Sequence, residues 1–172
     1  VVISSGTEYL FYIIFKLFNN KIYGLENPCH KMFKELFLTN NISFKAISLD
    51  ENGIVIDDLK KYDVNIAYVT PSHQFPTGAI MSISRRTELL NWANENPDRY
   101  IVEDDYDSEF KYTGRPIPAL KANDINDKVI YLGSFSKSIS PAIRVSYLVL
   151  PKALLNIYQR ELPYFICPVP TL

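Results

Sequence analysis

Lys137 stands among hydroxyls. It lies in Gly133-Ser134-Phe135-Ser136-Lys137-Ser138-Ile139-Ser140-Pro141-Ala142-Ile143-Arg144, just past the apolar run Val129-Ile130-Tyr131-Leu132. Upstream, the acidic knot Glu103-Asp104-Asp105-Tyr106-Asp107 follows a second apolar run, Tyr100-Ile101-Val102. Short apolar runs of this kind read as buried strands, and open α/β sheets hold their ligands at strand carboxyl ends. A primary amine can form an imine with an aldehyde, and a carboxylate can keep a pyridine nitrogen protonated. A phenol can bond a ring oxygen, while hydroxyls and an arginine can take a phosphate. Together these are the groups that pyridoxal 5'-phosphate requires.

Singly, each group has plainer employments. Asp104 and Asp105 could hold Mg²⁺, or cap the next turn as loop aspartates usually do. Most lysines are solvated, and Ser134, Ser136, Ser138 and Ser140 could form only a polar loop. What favours the cofactor is the pairing of an amine among hydroxyls with a carboxylate cluster, each at the end of its own strand.

The elements that must position these groups alternate regularly. Strands are expected over residues 1–4, 21–25, 44–49, 65–69, 100–103, 129–133 and 145–150. Helices are expected over 7–18, 29–38, 85–94 and 152–161, with a short one near 57–61. Such alternation implies βαβ units and a mainly parallel seven-stranded sheet covered on both faces. Ser84 reads as the N-cap of the helix starting at Arg85, with Thr87 in place of the glutamate of a full capping box. Asp50-Glu51-Asn52-Gly53 reads as a turn, with Gly53 available for positive φ. Pro141 disfavours a regular helix after Lys137, which presents Arg144 from an irregular loop. No repeat, low-complexity tract or linker interrupts the pattern. The chain begins inside a strand and stops after a helix, which leads us to expect a piece of a larger protein.

Composition narrows the classes. The chain has 172 residues, 47% of them hydrophobic and 22% charged, as in an ordinary globular domain. A net charge of −1 with no basic block leaves no electrostatic footprint for nucleic acid. Cys29 and Cys167 lack metal-ligand spacing, so a reducing, cytoplasmic setting and no metal site are expected. The first residues have no basic region leading into an apolar core, and residues 10–18 are too few to span a bilayer. The aromatic fraction of 13% suits core packing and a partner surface.

Three strings then agree in order and spacing: Thr70-Pro71-Ser72-His73-Gln74-Phe75-Pro76-Thr77-Gly78, Glu103-Asp104-Asp105-Tyr106-Asp107-Ser108-Glu109-Phe110, and Gly133-Ser134-Phe135-Ser136-Lys137. With them the chain, from Ser5 to Leu150, resembles the fold-type I aminotransferase superfamily. More narrowly, it resembles the aminotransferase-like domain of the MocR subgroup of GntR-type transcriptional regulators. The resemblance implies a three-layer α/β large domain with one antiparallel strand. It implies an internal aldimine on Lys137, the amine freed by burial and by the cofactor's cationic field. Asp104 would pair with the pyridinium nitrogen and Tyr106 would donate to the ring 3-oxygen. Ser134, Ser136 and Arg144 would bind phosphate, joined by Gly6 and Thr7 at the start of the first helix.

His30 falls where the family usually stacks an aromatic ring on the cofactor, and it could equally cap the next helix. His73 reads as a core histidine in preference to a group supporting the site. Met32 falls near where some relatives place an arginine for a substrate carboxylate, and Phe75 replaces the asparagine of ordinary transaminases. The functional expectation is a cofactor-binding effector or sensor domain that responds to an amino compound or to pyridoxal phosphate itself. A homodimer is expected, with DNA reached only through a winged-helix domain that this chain lacks; the small domain of the superfamily is also expected to be missing. The alternative is a class I/II aminotransferase. A Mg²⁺-dependent receiver or phosphotransferase fits poorly, because such domains place the acidic pair near their first strand.

Overall fold

The computed structural model describes residues 1–107, 117–140 and 142–169. Ser108, Glu109, Phe110 and Pro141, which the motif reading used, therefore lie outside the described residues. In chain order the elements are β1 (Val2–Ser5), α1 (Thr7–Leu17), β2 (Tyr23–Asn27), α2 (Lys31–Thr39), β3 (Phe44–Asp50), β4 (Gly53–Ile54) and α3 (Ile56–Lys61). They continue with β5 (Ile66–Val69), α4 (Ile83–Asn94), β6 (Tyr100–Asp105), a 3-10 turn (Leu120–Asn123), β7 (Val129–Ser134), β8 (Val145–Val149) and α5 (Lys152–Glu161).

The strands form one mixed sheet in the order β1-β8-β7-β6-β5-β2-β3-β4. Neighbours from β7 across to β3 run parallel, whereas β8 runs antiparallel to both β1 and β7. The strand beyond the expected seven is β4. The turn read at 50–53 exists, with the Asp50 carboxylate accepting from the Asn52 amide at 2.8 Å, but the chain then doubles back on β3 for two residues. A two-residue strand has no sequence period of its own, so alternation could not reveal it.

Two cores cover the sheet, and strand alternation sorts residues between them. On one face α1, α2 and α5 pack over Leu25, Tyr68, Val102, Ile130 and Leu132. On the other, α3 and α4 pack over Ile47, Ala67, Val69, Ile101 and Val129. Helix α1 buries Leu10, Phe11, Ile13, Ile14, Phe15 and Leu17, each worth roughly 1.5–3 kcal/mol over exposure. It starts from Gly6, whose φ of 87° strains any residue with a Cβ; an added Cβ would also lie 2.5 Å from Arg144 Nη2.

Helix α4 corrects one expectation. Its N-cap is Ser82, whose Oγ accepts from the Arg85 amide at 3.2 Å; Ser84 lies within the first turn and donates to Glu88. The reason is tertiary. Met81 N bonds Pro71 O and Ser82 N bonds Asn52 O, which holds 81–82 extended and lets the helix begin at residue 83.

Candidate functional site

Strands β5, β6 and β7 are parallel neighbours, so their carboxyl ends open on one side of the sheet. The register pairs Val69 with Glu103, Asp104 with Leu132 and Asp105 with Gly133. Beyond those ends lies a cavity of about 490 Å³ whose lining includes Thr7, Glu8, His30, Tyr68, Asp104 and Tyr106. Ser134, Ser136, Lys137 and Arg144 complete it, with Cys29, Met32, Phe33, Thr70 and Phe75 between them. Each sequence-predicted site residue thus reaches one cavity, except that Gly6 acts from behind by letting Arg144 approach.

Asp104 and Asp105 part company. Asp104 lies on the α1/α2 face, where its Oδ2 accepts from the Tyr68 hydroxyl at 2.7 Å. Asp105 lies on the opposite face and accepts from Ser72 at 2.9 Å and Tyr131 at 2.6 Å. Carboxylates on opposite faces do not chelate one ion, which removes the Mg²⁺ reading of this pair. Asp104 Oδ1 is buried with no hydrogen-bond partner. Burial pushes the Asp104 carboxyl up to about 7; Tyr68 opposes this, and the nearby Asp105, Glu26 and Asp107 add to it. The residue lacks a cation, and a protonated ring nitrogen would supply both the charge and the missing hydrogen bond.

The anion end is built from different elements. Thr7 opens α1, an N-terminus that favours negative charge. Ser134 and Ser136 turn their hydroxyls to one another at 3.1 Å. Arg144, at φ 51°, places Nη2 2.9 Å from Glu8 Oε2. The left-handed Arg144 sets its guanidinium against Gly6, where a Cβ would collide with it.

Lys137 stands between the two ends on a turn closed by Ile139 N to Phe135 O at 3.0 Å. The expectation that it is buried does not hold, because its side chain is 49% exposed. Nζ bonds Asp107 Oδ2 at 3.1 Å and sits 4.6 Å from the centre of the Tyr106 ring. The Tyr106 hydroxyl donates to the His73 carbonyl at 2.8 Å, so its proton is engaged there and not toward the cavity. His73 is not a core residue either: it is 24% exposed, with Nδ1 2.8 Å from Asp107 Oδ1. His30 serves both of its readings. It caps α2, Nδ1 accepting from Met32 N at 3.2 Å, and its ring lies at the cavity 4.9 Å from that of Phe75.

No family model matches the chain. Individual proteins do. The chain is 45% identical over 157 residues to the uncharacterized HTH-type transcriptional regulator YdeL of Bacillus subtilis, spanning 91% of this chain and 34% of that protein. It is 31% identical over 162 residues to the probable rhizopine catabolism regulatory protein MocR of Rhizobium meliloti, 93% of this chain and 33% of that one. Among solved structures, the multiple substrate aminotransferase of Thermococcus profundus superposes with a TM-score of 0.83 at 30% identity, over 96% of this chain and 44% of that one. The chain matches a MocR-like aminotransferase-like domain. It spans about a third of the length of the curated relatives it matches.

The residues of this MocR-like domain fit the group that the fold implies. The buried, unpartnered Asp104 Oδ1 would hold a pyridine nitrogen, and Thr7, Ser134, Ser136 and Arg144 would hold a phosphate. Lys137 is the amine between them. Sequence reasoning left Tyr68, Glu8 and Asp107 without roles. Alternation along β5 sets Tyr68 on one face, but only the pairing of β5 with β6 brings it to Asp104. Glu8 carried no signal before the fold brought it to Arg144. Among the described residues no helix is long and apolar enough to cross a membrane.

Proposed function

We propose that this domain binds pyridoxal 5'-phosphate at Lys137 and serves as the ligand-responsive part of a transcriptional regulator. The observation that carries the reading is the buried oxygen without a partner on Asp104, a residue that lines the same cavity as the amine and an anion cup. When bound, the cofactor supplies an aldehyde carbon that primary amines attack and a ring that accepts electrons. The protein's part is to hold the ring nitrogen at Asp104, seat the phosphate at Thr7, Ser134, Ser136 and Arg144, and present Lys137. A second amine competing with Lys137 would change what Asp107 and Tyr106 contact, and differential contact is what a two-state switch needs. The relatives named as HTH-type regulators support placing DNA contact in a separate domain of a longer protein. One of them, PdxR of Corynebacterium glutamicum, is named for pyridoxine biosynthesis, which supports a vitamin B6 compound as one effector.

Met32 and Phe75 favour a sensor over an enzyme. Among the described residues lining the cavity, Arg144 is the one guanidinium, and it lies at the anion end against Glu8. A substrate carboxylate therefore has no arginine of its own there. Incubation with pyridoxal phosphate, reduction with borohydride and peptide mass spectrometry should place a pyridoxyl group on Lys137. With amino acids added, keto acid should form more slowly than ~1 s⁻¹, the low end of ordinary enzymes. A pyridoxyl group on another lysine would overturn the site, and faster turnover would favour the aminotransferase.

A further inference from the structure

We propose that Asp107 accepts the proton that Lys137 must lose to attack an aldehyde, and that His73 positions Asp107 for this; the proposal rests on reading the cavity as a pyridoxal phosphate site. An ordinary lysine is an ammonium at neutral pH and has no lone pair to offer. Attack therefore needs that proton removed, and an acceptor within hydrogen-bond reach of Nζ, or one water away, speeds its removal. Among the described residues two groups lie against Nζ: the Asp107 carboxylate at 3.1 Å and the Tyr106 ring face at 4.6 Å. Only the carboxylate can take a proton.

Its setting suits the task. Asp107 is 6% exposed on its side chain, so water competes little for either oxygen. Oδ1 is held by His73 Nδ1 at 2.8 Å, which leaves Oδ2 directed at the amine. Residue 73 is gripped twice, because the Tyr106 hydroxyl also bonds its carbonyl at 2.8 Å. The other carboxylates of the acidic segment are engaged elsewhere: Glu103 with the amides of Leu120 and Lys121, Asp104 with Tyr68, and Asp105 with Ser72 and Tyr131. Asp107 alone among these four meets the lysine.

The step balances without a further reagent. An Nζ–H bond breaks, its proton passes to Asp107 Oδ2, and the electron pair left on nitrogen bonds the aldehyde carbon. Two of the three ammonium protons depart with the aldehyde oxygen as water, one of them by way of Asp107. The carboxylate is regenerated, and Nζ keeps one proton.

The test separates attachment from binding. Pyridoxine 5'-phosphate carries an alcohol where the aldehyde would be, so it occupies the site without needing an amine. For the wild-type chain we expect pyridoxine phosphate binding by calorimetry, and covalent attachment of pyridoxal phosphate followed by rapid mixing and borohydride quench. Asp107→Asn should slow attachment by about 100-fold, the low end of general acid–base effects, with pyridoxine phosphate affinity unchanged. Asp107→Glu should recover part of the rate. His73→Leu should slow attachment, whereas His73→Asn, which retains an N–H near the Nδ1 position, should restore it. Attachment by Asp107→Asn at the wild-type rate would overturn the proposal. So would a loss of pyridoxine phosphate affinity in proportion to the rate, since Asp107 would then be only structural. Absence of attachment to Lys137 in the wild type would instead overturn the underlying reading of the site.

Discussion

At the scale of single residues, adjacent aspartates have opposite duties because a strand points neighbours to opposite faces. Asp104 lacks a cation, while Asp105 is satisfied by Ser72 and Tyr131. A hydrogen bond to a charged group is worth ~1.5–3 kcal/mol, so Asp104→Asn should weaken pyridoxal phosphate binding by roughly 10- to 100-fold. Asp105→Asn should leave affinity near wild type and cost about 1–3 kcal/mol of stability, because one of two half-buried hydroxyl donors loses a full acceptor. Titrating cofactor into both variants and unfolding both in urea checks the split. Equal losses of affinity at unchanged stability would contradict it.

At the scale of elements, positions are decided where chain segments lock to one another. The start of α4 is set by backbone bonds from residues 81 and 82 to the distant residues 71 and 52, and Ser82 then caps the helix. Ser82→Ala should therefore cost ~0.5–2 kcal/mol, the usual worth of an N-cap. Ser84→Ala should cost less than that, since Ser84 is exposed and bonds only Glu88 across one turn. Urea midpoints of the two variants rank the caps; a larger loss at Ser84 would restore the assignment made from local pattern alone. Glu103 plays the same part for the 3-10 turn, accepting from Leu120 N at 2.7 Å and Lys121 N at 2.9 Å.

For the whole molecule, the notable cost is three carboxyls buried at the strand ends. Burial pushes Glu26, Glu103 and Asp104 each up to about 7. In an unfolded chain these groups ionise near pH 4. Between about pH 4 and 7 the folded state therefore holds more protons than the unfolded one, and stability falls as pH rises through that window. The contribution is complete below the unfolded value and lost above about 7. Urea midpoints for the cofactor-free chain should be lower at pH 8 than at pH 5. Pyridoxal phosphate should reduce the difference by giving Asp104 its cation, and Asp104→Asn should reduce it by removing one titrating group. A midpoint that rises from pH 5 to pH 8 would show that these carboxyls are ionised at little expense.

Much of this was legible in the chain itself. Short apolar runs and amphipathic stretches marked the strands and main helices, since burial on one or two faces dictates which positions are apolar. That Lys137, Asp104, Ser134, Ser136 and Arg144 would gather at one cavity was legible as well, because each belongs to a segment at the carboxyl end of a strand or in the loop that follows it. What local pattern could not decide was partnership across the fold. The Tyr68–Asp104 bond depends on which strand neighbours β6, and the Glu8–Arg144 pair on how the loop into β8 meets α1. The pairing of His73 with Asp107, where a core histidine was expected, arises because two loops far apart in sequence meet beside Lys137. Residue types and their period set what the chain could hold. Packing brought remote groups within hydrogen-bond distance, and that alone determined which carboxylate keeps an unpartnered oxygen, which meets the lysine and which only holds the fold.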